Sequence, residues 1–316
     1  MRGATVAQTV ERARAGEPRA VARLISLVED ASPLLREVTE GLVPHTGNAQ
    51  VVGITGSPGV GKSTSTSALV TALRKTDKRV GVLAVDPSSP FSGGALLGDR
   101  VRMQDHATDA EVYIRSMATR GHLGGLSWAT PQAVRVLDAA GCDVVLVETV
   151  GVGQSEVEVA GLADTTMVLL APGMGDGIQA AKAGILEVGD LYVVNKADRD
   201  GAAQVARDLR AMLALAERRA DAWRPPIVKT VAQTGEGVDT VVTAIDEHRA
   251  WMESSGELHA RRRRRARDEI EAIAVANLRE RFGDLHGHAQ LDSLADAVVN
   301  GDNDPYTAAD TLIAAL

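Results

Sequence analysis

Short apolar runs alternate with helical patterns through the middle of the chain. The runs are 51–54, 80–85, 112–114, 144–147, 166–170 and 191–194, with a weaker one at 226–231. Strands that are apolar throughout and separated by helices predict an α/β fold with a mainly parallel central sheet covered on both faces. Ahead of them, residues 4–43 are rich in Ala, Arg and Leu at helical spacing. Leu24, Leu27 and Val28 fall on one face, as do Leu34, Leu35 and Val38. Gly16-Glu17-Pro18 and Ser32-Pro33 break this region into two or three helices, and Pro44-His45-Thr46-Gly47 reads as a linker. After Gly256, residues 257–282 read as one long charged helix, with shorter helices around 290–299 and 306–315. The expected organisation is an N-terminal helical extension over 1–47, an α/β domain over 48–254 and a C-terminal helical region over 255–316.

Composition narrows the class. The chain has 316 residues, 45% hydrophobic and 24% charged, an ordinary globular balance. Aromatic residues make up only 3%, so the core must be built from Ala, Val, Leu and Ile. No run approaches the ~20 apolar residues of a membrane span and the N-terminus has no signal-peptide h-region, so no membrane partner is expected. The single cysteine, Cys142, allows no intrachain disulfide and fits a reducing cytoplasm. It adjoins the strand-like Asp143–Val147 and reads as a small packing residue. The net charge of −8 argues against nucleic acid as the main partner. Arg261 to Arg265 are the local exception, but five successive arginines point all around a helix. They read as a solvated helix start balanced by Asp268, Glu269 and Glu271.

Residues 56–63 carry the most specific chemistry. Gly56-Ser57-Pro58-Gly59-Val60-Gly61-Lys62-Ser63 follows the apolar run ending at Ile54 and opens a helical stretch through Thr64. This is the G-x-x-x-x-G-K-[ST] phosphate loop in its strand–loop–helix context. Its glycines let backbone N–H groups turn inward on a polyphosphate, and the helix adds its positive dipole end. Lys62 is expected at the β- and γ-phosphates and Ser63 on Mg²⁺.

The base is indicated by Asn195-Lys196-Ala197-Asp198, directly after the run 191–194. A carboxylate at Asp198 can accept hydrogen bonds from guanine N1–H and its exocyclic amine; adenine lacks that donor pair. Asn195 would hold the loop and the purine edge while the Lys196 stem covers the base. The loop after the last strand, Thr230 with Val231, Ala232 and Gln233, could offer N–H groups to the guanine oxygen. GTP or GDP is therefore the expected ligand. Candidates for the Mg²⁺ region are Asp86 and Glu148, which end strands, and Asp99, which follows a glycine- and serine-rich stretch. Gly151 could contact a γ-phosphate and release it after hydrolysis. Val152 stands where a water-positioning Gln would follow that glycine; Gln154 is a substitute. Slow intrinsic hydrolysis is the consequence. His286 and His288, two apart without further ligands, and His122 in a glycine-flanked loop are not read as metal ligands.

Longer blocks carry a family resemblance. They are Leu24–Glu29, Pro44–Gly47, the phosphate loop, Val85–Pro90, Gly94–Met103, Ser116–Gly125 and Glu148–Glu156. Through them the chain resembles the MeaB/ArgK family of G proteins, the methylmalonyl-CoA mutase-associated GTPases. The resemblance implies a homodimeric P-loop GTPase with the fold class of signal-recognition and metal-insertion GTPases. It also implies a chaperone that gates adenosylcobalamin loading and protection of methylmalonyl-CoA mutase or a related cobalamin-dependent acyl-CoA mutase. It assigns GTP to Lys62, Ser63 and Asp198 and the Mg²⁺ region to Asp86, Asp99 and Glu148. Residues 175–182 match the family's third switch, with Asp176, Gln179 and Lys182 as candidate signalling residues. Two departures stand out. Val231 replaces a small polar residue, and the C-terminal helix carries the arginine run where the family has tryptophans. Two other classes are a metal-insertion GTPase, which would need Cys/His ligands for its cargo, and a small-molecule kinase, which would need an acceptor pocket and a base.

Overall fold

The computed structural model describes residues 5–30, 32–86, 103–106, 108–118, 129–149, 155–173, 187–215, 221–282 and 289–315. Asp99, His122, Gly151, Val152, Gln154, Asp176, Gln179, Lys182, His286 and His288 lie outside them, as does the side chain of Asp86. The described strands are β1 (Gln50–Thr55), β2 (Val80–Asp86), β3 (Val112–Ala118), β4 (Val144–Thr149), β5 (Thr165–Leu170), β6 (Leu191–Val194) and β7 (Ile227–Lys229). They form one seven-stranded sheet in the order β3-β2-β4-β1-β5-β6-β7, and every pairing is parallel. The expected parallel sheet is therefore present. β3 runs four residues past its apolar stretch because Arg115 and Ser116 still pair with β2. β7 is shorter than its pattern because the chain turns after Lys229 into a loop closed by the Val231–Glu236 bridge.

The described helices are α1 (Val6–Arg14), α2 (Pro18–Glu29), α3 (Leu35–Leu42), α4 (Lys62–Arg74), α5 (Thr130–Ala139), α6 (Ser155–Leu162), α7 (Ala202–Leu215), α8 (Val238–Ser255), α9 (Glu257–Phe282), α10 (Ala289–Val299) and α11 (Pro305–Ala314). Breaks between the first three fall at the two proline signals. Pro18 opens α2, where its missing N–H costs nothing. Val21, Leu24, Ile25 and Val28 are buried at i, i+3, i+4 and i+7, which turns one stripe of α2 to the core. Leu34 departs from expectation. It precedes α3 as its N-cap, off the helical face, and is 43% exposed, while Val38 is fully buried.

Side chains alternate across the strands and sort into two layers. Val51, Leu83, Val85, Val145 and Val147 join the layer of α1, α2, α3, α5 and α6. Val52, Ile54, Val82, Leu146, Met167 and Val193 face α4 and α8. The N-terminal helices thus share a core with the sheet: Val10, Leu24 and Val38 lie in one cluster with Leu137 and Val145. Cys142 belongs there too; burial pushes its thiol up to about 12, as expected of a packing residue. The chain divides into two compact units, Met1–His259 and Ala260–Leu316. In the second, α10 and α11 pack on each other.

Candidate functional site

The parallel sheet gives all its strands one carboxyl edge, and β1 lies where the connections diverge, β2 and β4 to one side and β5 to the other. Ligands of such sheets bind at that edge and that divergence. The loop after β1 is the 56–61 turn. Two of its glycines are obligatory. Gly56 has φ +141°, and a Cβ there would sit 2.4 Å from Leu169 O. Gly61 has φ +96°, and its Cβ would sit 2.5 Å from Asn195 Nδ2. A side chain at either position would push the loop off its neighbours.

Lys62 and Ser63 open α4, and both are buried. Lys62 Nζ donates to Gly56 O at 2.7 Å and Ser57 O at 3.2 Å, so the ammonium lies inside the curl of the loop. Thr64, in the same turn, is exposed. Glu148 arrives from β4. Strand register pairs it with Ile54, a residue of the α4-facing layer, so alternation alone turns its side chain toward α4. There Ser63 Oγ donates to its Oε1 at 2.7 Å and Thr66 Oγ1 to its Oε2 at 2.8 Å. Thr66 is fully buried and Glu148 only 4% exposed. Asp86 ends β2 two residues beyond Ala84, the residue that registers with Glu148. A hydroxyl beside a carboxylate is a set of hard oxygen donors, and this fits Mg²⁺.

The second cluster comes from the ends of β6 and β7. Asn195 is buried, and its amide joins three segments. Nδ2 donates to Val60 O in the phosphate loop at 2.9 Å, and Oδ1 accepts from Ala232 N at 3.1 Å and Thr230 Oγ1 at 3.2 Å. Lys196 adopts a left-handed backbone, φ +57°, which costs a non-glycine residue roughly 1–2 kcal/mol. The turn offsets this with Ala197 N donating to Thr230 O at 3.0 Å and Arg199 N to Lys196 O at 3.0 Å. Lys196 Nζ reaches back to Gly59 O at 2.7 Å. Asp198 is exposed.

The sequence-predicted residues therefore converge: residues 56–63 and Glu148 under one half of the edge, Asn195 and Lys196 tied to the same loop from the other. The 231–233 loop is more restricted than expected. Val231 N–H donates to Glu236 O at 3.0 Å and Ala232 N–H to Asn195, whereas Gln233 N–H makes no backbone bond among the described residues. Sequence reasoning missed Thr66, and it placed Thr230 in the guanine-oxygen loop without expecting its bond to Asn195. Thr66 was findable, because it lies three residues after Ser63 on the same helix face. The bond from Thr230 Oγ1 to Asn195 had no signal in the sequence.

A phosphate loop at the carboxyl edge of a parallel sheet, with an Asn-Lys-x-Asp turn bonded to it, defines the class of P-loop GTPases. Residues 21–285 match the family described as "Methylmalonyl Co-A mutase-associated GTPase MeaB". The chain belongs to that family. A protein of Pyrococcus horikoshii that carries a GTPase name is 47% identical over 308 residues, covering 97% of this chain and 96% of the relative. The mouse "Methylmalonic aciduria type A homolog, mitochondrial" is 35% identical over 318 residues, 95% of this chain and 77% of that protein. Among solved structures, "Crystal structure of LAO/AO transport system kinase" superposes with a TM-score of 0.75 at 30% identity, covering 99% of this chain and 97% of that one. The chain is thus a family GTPase, and guanine-nucleotide binding follows with it.

Proposed function

We propose that the chain is a GTP-driven chaperone for methylmalonyl-CoA mutase or a related cobalamin-dependent acyl-CoA mutase, gating adenosylcobalamin loading and protecting the loaded enzyme. The observation that carries the nucleotide half is the Asn195 amide, which ties the base-reading turn to the phosphate loop. That bond ties the exposed Asp198 turn to the loop that ends at Lys62. The family's description as mutase-associated carries the client.

In this reading Gly56–Thr64 hold the phosphates with Lys62 as the main cation. Asp198 reads guanine N1–H and the exocyclic amine, Lys196 covers the base, and Gln233 N–H is left to meet the guanine oxygen. Ser63 and Glu148, with Asp86 and Asp99, hold Mg²⁺ or its waters; the ion supplies charge neutralisation at the β- and γ-phosphates. Gln154 orients water poorly, so hydrolysis is slow alone and faster with the client. Asp176, Gln179 and Lys182 pass the nucleotide state to the mutase. The protein acts as a homodimer through residues 255–316: Ile270, Ile273, Val275 and Leu278 are exposed on α9. No described helix is long and apolar enough to cross a membrane. The buried lone thiol of Cys142 fits action in the cytoplasm.

Pull-down against methylmalonyl-CoA mutase with GDP, a non-hydrolysable GTP analogue or no nucleotide tests the client. Capture that changes with the nucleotide supports the reading; equal absence in all three removes the mutase. The solved relative's name favours a second reading, a small-molecule kinase. Phosphoryl transfer to an acceptor faster than to water would establish it.

A further inference from the structure

We propose that Thr66 is a positioning residue for the GTPase reaction: its hydroxyl fixes the plane of the Glu148 carboxylate so that Glu148 can serve Mg²⁺. The inference rests on the reading that Ser63 and Glu148 form part of the Mg²⁺ region.

The geometry is a two-sided clamp. Ser63 Oγ donates to Oε1 of Glu148 at 2.7 Å and Thr66 Oγ1 donates to Oε2 at 2.8 Å. A Ser hydroxyl can give a lone pair to a cation and still donate its proton to Oε1, so that first bond is compatible with metal binding. It does not orient the carboxylate. The terminal torsion of a Glu is broad and roughly two-fold, so a carboxylate held by one oxygen still rotates. Thr66 supplies the second hold. Its hydroxyl also lies 3.0 Å from Lys62 O, but it has one proton, and the charged acceptor makes the stronger bond. The clamp is out of water, since Thr66 is fully buried and Glu148 is 4% exposed. Its registration is set by covalent structure. Thr66 stands one helical turn after Lys62 and Ser63, and Glu148 is turned to α4 by the parity of β4.

Three variants separate this role from packing. Thr66→Val keeps the β-branched shape and removes the hydroxyl, Thr66→Ala removes both, and Thr66→Ser restores the hydroxyl alone. Each is titrated with Mg²⁺ while GTP affinity is read calorimetrically, beside the same affinity in EDTA. The Mg²⁺ midpoint is expected to rise about tenfold in Thr66→Val and Thr66→Ala, the scale of one hydrogen bond to a charged group. Thr66→Ser should stay within about twofold of the parent, and affinity in EDTA should not move. An unshifted midpoint in Thr66→Val overturns the role. So does a Thr66→Ser midpoint as high as that of Thr66→Val, or an equal loss of affinity with and without Mg²⁺. Ser63→Ala and Glu148→Gln are run alongside. If neither moves the midpoint, the metal reading beneath the proposal fails; if both move it while Thr66→Val does not, only the role of Thr66 fails.

Discussion

The two edges of the sheet use their charged groups in opposite ways. At the amino edge aspartates accept from the backbone. Asp138 accepts from Gly47, Asn48 and Ala49 N–H at 2.6, 3.2 and 2.9 Å, Asp164 from Val51 N–H at 3.0 Å, and Asp190 from Thr166 N–H at 2.9 Å. Asp143 accepts from Arg79 N–H at 2.7 Å. These bonds fix where β1, β2 and β5 begin. At the carboxyl edge, Lys62 donates to two loop carbonyls and Glu148 accepts from two hydroxyls. Such partners can be exchanged for a phosphate or a cation without unpairing the sheet. A carboxylate bonded to backbone N–H groups where strands begin marks architecture here, and a buried charge bonded to loop carbonyls or hydroxyls marks the site.

Substitutions at the two edges should separate affinity from stability. The largest effect is expected at Lys62→Ala, with GTP affinity falling about 10²–10³-fold, the scale of truncating one side of a buried charge contact. Its unfolding free energy should change by less than about 1 kcal/mol, because the carbonyls of Gly56 and Ser57 that it bonds belong to the loop and not to the sheet. Denaturation and calorimetry on one preparation check both halves. Asp138→Ala should do the reverse. Three N–H groups lose their acceptor, so urea unfolding should report a loss of about 2–4 kcal/mol with GTP affinity unchanged within about threefold. A large affinity loss in that variant would erase the contrast between the edges. Asn195→Ala sharpens it, since its amide belongs to both economies. Stability should fall by about 1–2 kcal/mol and GTP affinity about tenfold, read in the same two assays.

The smallest effect is a pH dependence away from the site. The Cys142 thiol is raised from 9.0 to about 12 by burial, so the folded state keeps its proton where the unfolded chain loses it. Stability from this group is complete below pH 9 and is lost as pH rises toward 12. Wild type should lose about 1 kcal/mol more than Cys142→Ala between pH 8 and 10, measured by urea unfolding.

Much of this was legible in the chain because the signals were local. The strand runs and the proline and glycine breaks announced the sheet and helix order, and the 56–63 spacing announced the loop. What escaped was relational. Leu34 reads as apolar at helical spacing, yet its position as N-cap puts it in solvent. Thr66 is one of several Ser and Thr residues in α4, and its spacing from Ser63 singles it out only once the parity of β4 has turned Glu148 toward that helix. The Asn195 amide was expected to hold the loop and the purine edge; which groups it bonds, Val60, Thr230 and Ala232, depends on segments far apart in sequence. Those bonds also decide that Ala232 N–H is already engaged.

Purine selectivity tests the central claim most directly. Calorimetry of GTP, ATP and XTP with wild type and Asp198→Asn is the measurement. The account predicts that wild type prefers GTP over ATP by about 10³-fold or more, because adenine leaves the carboxylate unpaired. Asp198→Asn should lose GTP and favour XTP, whose C2 carbonyl oxygen accepts from the new amide where guanine has its exocyclic amine. ATP bound within about tenfold of GTP by wild type, or an unchanged preference in the variant, would contradict it.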